Sequence, residues 1–324
     1  MLPGVLPVAD AHHREIRRLS AIAIAAARRA WGRTGPDRVL DEWPQVSRML
    51  LPAITNLQFL AATAGVEYIG DSLDAQKVKT APDAVVQPAG FVGWASDGRP
   101  LDSLLQTPTI AVRSALQDEL PTVEAYARGG RALEQIVHTQ IGDAARVSAG
   151  VGVATRGRVG WVRMVNPPTC SRCLILAGRF YRWSSGFNRH PRDDCISVPT
   201  TQAKARRERL VDDPDAYFKG ISREEQDRML GKAGAQAVRD GADLNQVVNA
   251  RRGMSTAAVF GRQVQVTTEG TTRRGLAGKQ FLARGATSRA GRVQVVRLMP
   301  EQIYREATSR ADALRLLKLH GFIR

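Results

Sequence analysis

The chain has 324 residues, with 47 Lys and Arg against 31 Asp and Glu, and therefore a formal net charge of +16. Hydrophobic residues make up 43%, so the composition excludes a wholly disordered chain. Aromatic residues make up only 6%, which favours helices whose cores consist of Ala, Val, Leu and Ile. No apolar run approaches the roughly 18 residues that span a bilayer, and no secretory leader is predicted.

The first 150 residues are predicted to form a helical domain of long elements. Proline and glycine punctuate them: Pro44 and Pro52 are expected to set turns or helix starts, and residues 81–100 are expected to form a loop. Apolar residues recur at steps of three and four through residues 8–33, 36–80, 101–118 and 121–150. No functional motif is legible in this domain.

Residues 151–249 are predicted to form a small central α+β domain. A β-like run covers 160–165, and a helix is expected at about 201–210. Ser222 and Glu225 have the spacing of a capping box, which predicts a helix from Ser222 to about Arg239. Asp243 is expected to cap another short helix over 244–250.

Residues 250–324 form a basic C-terminal segment, with 15 Lys and Arg against 4 Asp and Glu and thus +11 of the total charge. The segment is predicted to contain a β-like stretch at 263–268, a Gly/Arg/Thr-rich stretch at 269–292 and two short helices at 300–307 and 312–319. Ser309 and Asp312 are spaced as a capping box, and Gly321 is placed as the residue that follows the last helix. The predicted fold class is therefore mainly α, with a small α+β centre.

The three cysteines lie within 26 residues and suggest a local metal site rather than disulfides. Cys170 and Cys173 form a CxxC knuckle, His190 follows after sixteen residues, and Cys195 after four more. Three thiolates and one imidazole suit a structural Zn²⁺ ion, which would staple the central domain. One alternative is three unligated thiols and a surface histidine. A redox CxxC motif is less favoured, because no βαβ pattern precedes it.

An HNH-like, metal-dependent nuclease is a less favoured interpretation of the same region. Such an enzyme needs a catalytic histidine beside a second metal site, and His190 is the only histidine in this window. If His190 binds zinc, no general base is left. No nucleophile elbow, P-loop or dinucleotide fingerprint occurs, so the chain is predicted not to be an enzyme.

Three stretches together resemble the MuF-like minor capsid (head morphogenesis) proteins of tailed phages, closest to those of phages that infect actinobacteria. The first runs from Asn166 to Arg179 with Arg189–Cys195 after it, the second covers parts of 222–254, and the third covers parts of 267–317. The family pattern ends in H-P-x-C-x-C, whereas Asp193 stands here at the first of those two cysteine positions. This departure leaves three alternatives: a Cys₃His site, a site with Asp193 as a ligand, or a degenerate site without metal.

The resemblance implies a structural minor capsid protein that acts in head morphogenesis, in the virion at the portal vertex or capsid interior and in the host cytoplasm during assembly. The expected partners are the portal protein, the major capsid protein and packaged double-stranded DNA, with no membrane. Basic side chains in Gly/Thr/Ser-rich surroundings suit phosphate contacts without base readout. The candidate DNA-binding residues are Arg251, Arg252, Arg273, Arg274, Arg284, Arg289 and Arg292. The alternatives are contacts of these arginines with an acidic protein face or with water, and a DNA-binding protein of another class.

Overall fold

A computed structural model describes residues 7–164, 169–185, 195–207, 213–259, 262–289, 292–293 and 295–323. The protein is mainly helical, with long helices in the N-terminal part and small sheets later, so the predicted fold class is confirmed. The helices are α1 Pro7–Trp31, α2 Val39–Ala75, α3 Leu101–Leu104, α4 Pro108–Gln117, α5 Thr122–Ala154, α6 Ser171–Leu174, α7 Gln202–Arg207, α8 Pro214–Gly220, α9 Arg223–Leu230, α10 Lys232–Arg239, α11 Leu244–Arg252, α12 Leu276–Leu282, α13 Pro300–Glu306 and α14 Arg310–Leu319, with a 3₁₀ turn at Pro88–Phe91. The strands are β1 Val159–Met164, β2 Phe180–Arg182, β3 Ile196–Thr201, β4 Met254–Val259, β5 Arg262–Thr267, β6 Ser288–Arg289, β7 Arg292–Val293 and β8 Arg297–Leu298.

The chain divides into two compact units. The helical unit contains Pro3–Met164 and Arg179–Val211, and the C-terminal unit contains Val165–Gly178 and Asp212–Arg324. The chain therefore leaves the helical unit for the CxxC turn and returns to it for β2 and β3. The three predicted domains, 1–150, 151–249 and 250–324, follow the linear sequence and stay a prediction.

The long helices α1, α2 and α5 pack on one another and bury a core of Ala, Leu, Val and Trp residues. Trp31 and Trp43 meet edge to face with ring centroids 4.7 Å apart, and the Trp43 indole donates a hydrogen bond to the Leu105 carbonyl. The expectation that Pro44 and Pro52 set turns or starts is wrong, because α2 runs through both. Each proline removes one helical donor and crowds the preceding turn, but both prolines are exposed, and burial of the nearby Trp43 and Ile54 offsets the cost.

Helix α2 also contains the one apolar stretch in the described residues that is long enough to cross a membrane. No charge occurs between Arg48 and Glu67, so the statement that no run approaches this length is wrong for α2. Its buried side packs on α1 and α5, as in a core helix of a helical bundle. Packing of α2 against two neighbouring helices therefore accounts for the long uncharged stretch.

A three-stranded antiparallel sheet, in the order β2-β1-β3, lies against the helices of the same unit. The Tyr68 hydroxyl donates to the Ser197 carbonyl at 2.9 Å, and the Gln76 amide donates to the Pro199 carbonyl at 2.7 Å. Both side chains project from α2 to β3, so they fix the strand that follows Cys195.

The C-terminal unit is built from short helices, a β4-β5-β8 sheet and the β6-β7 hairpin. The capping box of Ser222 and Glu225 is present, and Asp243 caps α11, as predicted. The helix predicted to run to Arg239 is two helices instead, because Gly231 adopts φ +72° between α9 and α10. The Gly/Arg/Thr-rich stretch, for which the sequence analysis assigned no element, contains α12.

Close approach of α2 and α5 requires a glycine at position 65. A Cβ there would lie 2.3 Å from the Ala145 carbonyl oxygen and 2.3 Å from the Ser148 hydroxyl, which itself donates to the Ala62 carbonyl. Gly70 lies on the same helix with no heavy atom within 4 Å of the equivalent position. Substitution of Gly65 therefore tests the packing of the two helices, and substitution of Gly70 tests helix propensity alone.

We expect Gly65→Ala to lower the free energy of unfolding by about 2 kcal/mol, because the added methyl forces the two helices apart. The matched change Gly70→Ala is expected to raise it by about 0.5–1 kcal/mol, because alanine favours a helix and meets no neighbour. Denaturant unfolding followed by circular dichroism measures both. Equal effects of the two substitutions would contradict this packing.

Candidate functional site

The CxxC knuckle is held in a tight turn of the C-terminal unit. Cys170 precedes the short helix α6, and its sulfur accepts a hydrogen bond from the Cys173 backbone amide at 3.4 Å. The Cys170 and Cys173 sulfurs lie 3.3 Å apart, with Cys170 exposed and Cys173 buried. Leu174, which follows, is completely buried in the hydrophobic core of the unit. The turn therefore presents two sulfurs side by side on a fixed support.

These two sulfurs fit two positions of a zinc site. Zn–S bonds of about 2.3 Å in a tetrahedron place neighbouring sulfurs about 3.8 Å apart, so a small rotation of the side chains suffices. Cys195 belongs to the helical unit, and His190 and Asp193 lie outside the described residues. The structure thus brings two of the four predicted ligands together. The zinc site and the role of Asp193 stay a prediction.

Cys195 lies at the start of β3 and contacts a side chain that the sequence analysis did not single out. The Arg163 guanidinium, on β1, donates to the Cys195 sulfur at 3.4 Å, and both residues are buried. The contact joins the residue before β3 to its neighbouring strand inside the helical unit. The signal in the sequence is an arginine within an apolar strand, between Val162 and Met164.

A cleft of about 540 Å³ opens beside the knuckle within the C-terminal unit. Its volume lies in the range of roughly 300–1,000 Å³ that is typical of small-molecule sites. The cleft residues carry a thiol, two hydroxyls beside it, an aromatic ring, apolar side chains and one charge of each sign. They are Thr169, Cys170, Ser171, Tyr217, Ile221, Glu225, Arg228 and Met229. Nothing in the spacing of these residues along the sequence indicates the cleft, because tertiary packing of α8 and α9 creates it.

Most of the predicted DNA-binding arginines surround α12. Arg273 and Arg274 precede this helix, Arg284 follows it, and Arg289 lies in the adjoining β6-β7 hairpin. All four are exposed, and no ion pair joins them to a carboxylate in the described part of the chain. Arg292 is the register partner of Arg289, and its side chain lies outside the described residues. We call Arg273, Arg274, Arg284 and Arg289 the α12 basic surface.

The other two predicted arginines are placed differently. Arg252 is exposed at the end of α11, whereas Arg251 is half-buried and pairs with Glu301 at 2.9 Å. Arg251 also donates to the Leu230 carbonyl, so it ties the end of α9 to α13. Its charge is therefore already balanced inside the unit, and phosphate would have to compete with Glu301.

Close backbone contacts fix the position of α12. A Cβ at Gly278 would lie 2.0 Å from the Thr272 carbonyl oxygen, and the Gly278 amide donates to the Gly270 carbonyl at 3.1 Å. Gly321, with φ +67°, lies against Ala277 of α12 and ends α14 as predicted. The glycines of this stretch therefore serve dense packing, and they hold the α12 basic surface in a defined place.

Arg297 joins this region to the end of α14, and sequence analysis gave it no role. Its guanidinium is fully buried, lies 3.9 Å over the Phe322 ring and donates to the carbonyls of Glu269, His320 and Gly321. Burial lowers the pKa of Arg297 to about 10, so the side chain stays a cation at neutral pH. In a segment that is rich in basic residues, nothing in the sequence distinguishes Arg297 as a buried arginine.

His320 is buried beside Arg297, and its ring nitrogen Nδ1 accepts a hydrogen bond from the Leu298 amide at 3.2 Å. Burial, with the charges of Arg297 and Arg284, lowers the pKa of His320 to about 4. The histidine is thus neutral in the folded state near neutral pH, as its acceptor role requires.

Comparison with family models, curated proteins and solved structures finds no match to this chain.

We expect the C-terminal unit to lose stability as the pH falls from about 6.5 towards 4. In this window the unfolded chain binds a proton at His320 and the folded chain does not, which costs about 2 kcal/mol between pH 7 and pH 5. His320→Gln keeps an acceptor for Leu298 and removes the titrating group. Urea midpoints at the two pH values should therefore differ less in the variant. The same pH dependence in both proteins would contradict this assignment.

Proposed function

We propose that the chain is a structural, non-enzymatic minor capsid protein of a tailed phage, which acts in head morphogenesis at the portal vertex or on the inner capsid. The α12 basic surface is the observation that carries the proposal furthest. Its arginines are exposed and have no ion-pair partner among the described residues, and a protein that faces packaged DNA gains affinity when such side chains release counterions. The resemblance of three stretches to MuF-like proteins supports the same role.

The geometry of the α12 basic surface suits the DNA backbone rather than base edges. Helix α12, which lies between Arg274 and Arg284 in the chain, has seven residues and is about 10 Å long, comparable to about three base-pair steps of 3.4 Å. Phe281, the aromatic residue of α12, is buried against His320 and is not offered for stacking. Phosphate contacts without sequence preference follow from these features.

The helical unit provides the surface for the proposed contacts with other capsid proteins. Its exposed face along α2 is uncharged from Met49 to Val66 and includes the exposed side chains of Phe59 and Leu60. Large apolar side chains on a surface are typical of contacts with other proteins. The proposed partners are the portal and the major capsid protein, and the proposed location is the virion.

A pull-down tests the proposed assembly role. We expect the full chain, co-expressed with the portal and major capsid proteins of the same genome, to co-purify with one of them in a fixed ratio through size-exclusion chromatography. Met49→Glu combined with Phe59→Glu should weaken this association, because each places a charge in an apolar contact. Elution of the chain apart from both candidate partners would contradict the proposal.

Salt dependence tests the proposed DNA contact. For a duplex of arbitrary sequence, the slope of log K against log salt should become shallower by about one for each phosphate contact that is lost. Arg273→Gln, Arg274→Gln and Arg284→Gln together should therefore reduce the slope by about three. The control triple Arg17→Gln, Arg29→Gln and Arg33→Gln changes the net charge equally on exposed residues of the helical unit.

Three outcomes would redirect the proposal. Equal effects of the two triple substitutions would mean that DNA is attracted by the net charge and not by the α12 basic surface. A wild-type slope near zero would favour contact of the arginines with an acidic protein face. Cleavage of plasmid DNA that requires a divalent metal and is abolished by His190→Ala would favour the nuclease instead.

A further inference from the structure

We propose that Cys170 and Cys173 form a redox-active pair that exchanges with small disulfides of the glutathione type, with Cys170 as the attacking thiol and Cys173 as the resolving thiol. The inference goes beyond the proposed capsid role, and no step of it depends on that role.

The two thiols differ in access although their sulfurs lie 3.3 Å apart. Cys170 is exposed and lines the cleft, whereas Cys173 is buried, with 2% of its surface accessible. Thiol–disulfide exchange proceeds through a mixed disulfide, so the attacking thiol needs an open approach and the second thiol needs only to reach the first. The geometry of the knuckle meets both requirements.

The cleft fits the proposed reagent in size and charge. Its volume of about 540 Å³ admits a molecule of the size of a short peptide disulfide. Arg228 and Glu225 lie on the cleft wall, with the Arg228 guanidinium 3.9 Å from the Glu225 carboxylate. Glutathione carries carboxylates, and the exposed Arg228 guanidinium offers them a cation, whereas the Glu225 carboxylate already accepts hydrogen bonds from Ser222.

The reaction balances in two steps. The Cys170 thiolate attacks one sulfur of the small disulfide, forms a Cys170–glutathione mixed disulfide and releases one glutathione thiolate, which takes up a proton. The Cys173 thiolate then attacks the Cys170 sulfur, forms the Cys170–Cys173 disulfide and releases the second glutathione. The two protein thiols lose two electrons, and the small disulfide gains them.

Oxidation has a structural consequence for the knuckle. Disulfide formation must shorten the distance between the sulfurs from 3.3 Å to about 2.05 Å, so the Cys170 sulfur turns from the cleft towards Cys173. The same sulfurs belong to the predicted zinc set, so disulfide formation and zinc binding exclude each other. The pair thereby makes the turn sensitive to the redox state of its surroundings.

The test uses the reduced full chain with a chelator, oxidised glutathione as the probe and mass spectrometry of the peptide that contains both cysteines. We expect the native protein to lose two hydrogens without retaining glutathione, at least about tenfold faster than the chain unfolded in guanidinium. Cys173→Ser should trap glutathione on Cys170, whereas Cys170→Ser should leave Cys173 unmodified because it is buried. Cys173→Ala provides the same trap if serine disturbs the turn.

The role of the cleft has its own matched control. Arg228→Gln should slow the reaction with oxidised glutathione about threefold and leave the reaction with uncharged hydroxyethyl disulfide unchanged. Arg223→Gln, at an exposed position of the same helix outside the cleft, should change neither rate. Oxidation no faster than in the unfolded chain, or no glutathione adduct in either Cys173 variant, would overturn the proposal.

Discussion

The buried guanidinium of Arg297 is the interaction on which the C-terminal unit depends. It donates to three backbone carbonyls from two distant parts of the chain, Glu269 before α12 and the pair His320 and Gly321 after α14. A cation without water costs several kcal/mol unless its donors are satisfied, and carbonyl dipoles at the end of a helix satisfy them here. Arg297 therefore adds a buried polar link between these two parts of the chain to the apolar core of the unit.

This constraint explains why the charge of the last 75 residues is not spread evenly over a surface. Some arginines are used to hold the fold: Arg297 at the centre, Arg251 on Glu301, and Arg310 on the nearly buried Asp240. Those around α12 have no such partner among the described residues, and the glycines beneath them bring the backbone close to Arg297. The basic side chains of this segment thus divide into those that pair within the unit and those around α12 that the proposed DNA contact would use.

Much of the local structure could be predicted because it depends on local rules. The capping box of Ser222 and Glu225, the Ser309 cap of α14, the glycine after α14 and the long amphipathic helices are consequences of hydrogen bonding and periodicity within a few residues. The expectations at Pro44 and Gly231 were wrong, and α12 was not predicted, for one shared reason: each is decided by what packs against it. The same holds for the candidate site, where spacing identified Cys170 and Cys173, and only tertiary packing creates the cleft beside them.

The two units are stabilised in different ways although both contain few aromatic residues. This difference allows the proposed role of each unit to be tested separately. The helical unit brings α2 and α5 together through Gly65 and fills its core with small side chains, whereas the C-terminal unit uses caps, buried hydrogen bonds and Arg297. Each of the main hydrophobic clusters in the described residues is confined to one unit. Substitutions on the α12 basic surface therefore leave the α2 face intact, because no core residue is common to both. The proposed DNA contact and the proposed assembly contact can therefore be tested with separate sets of substitutions.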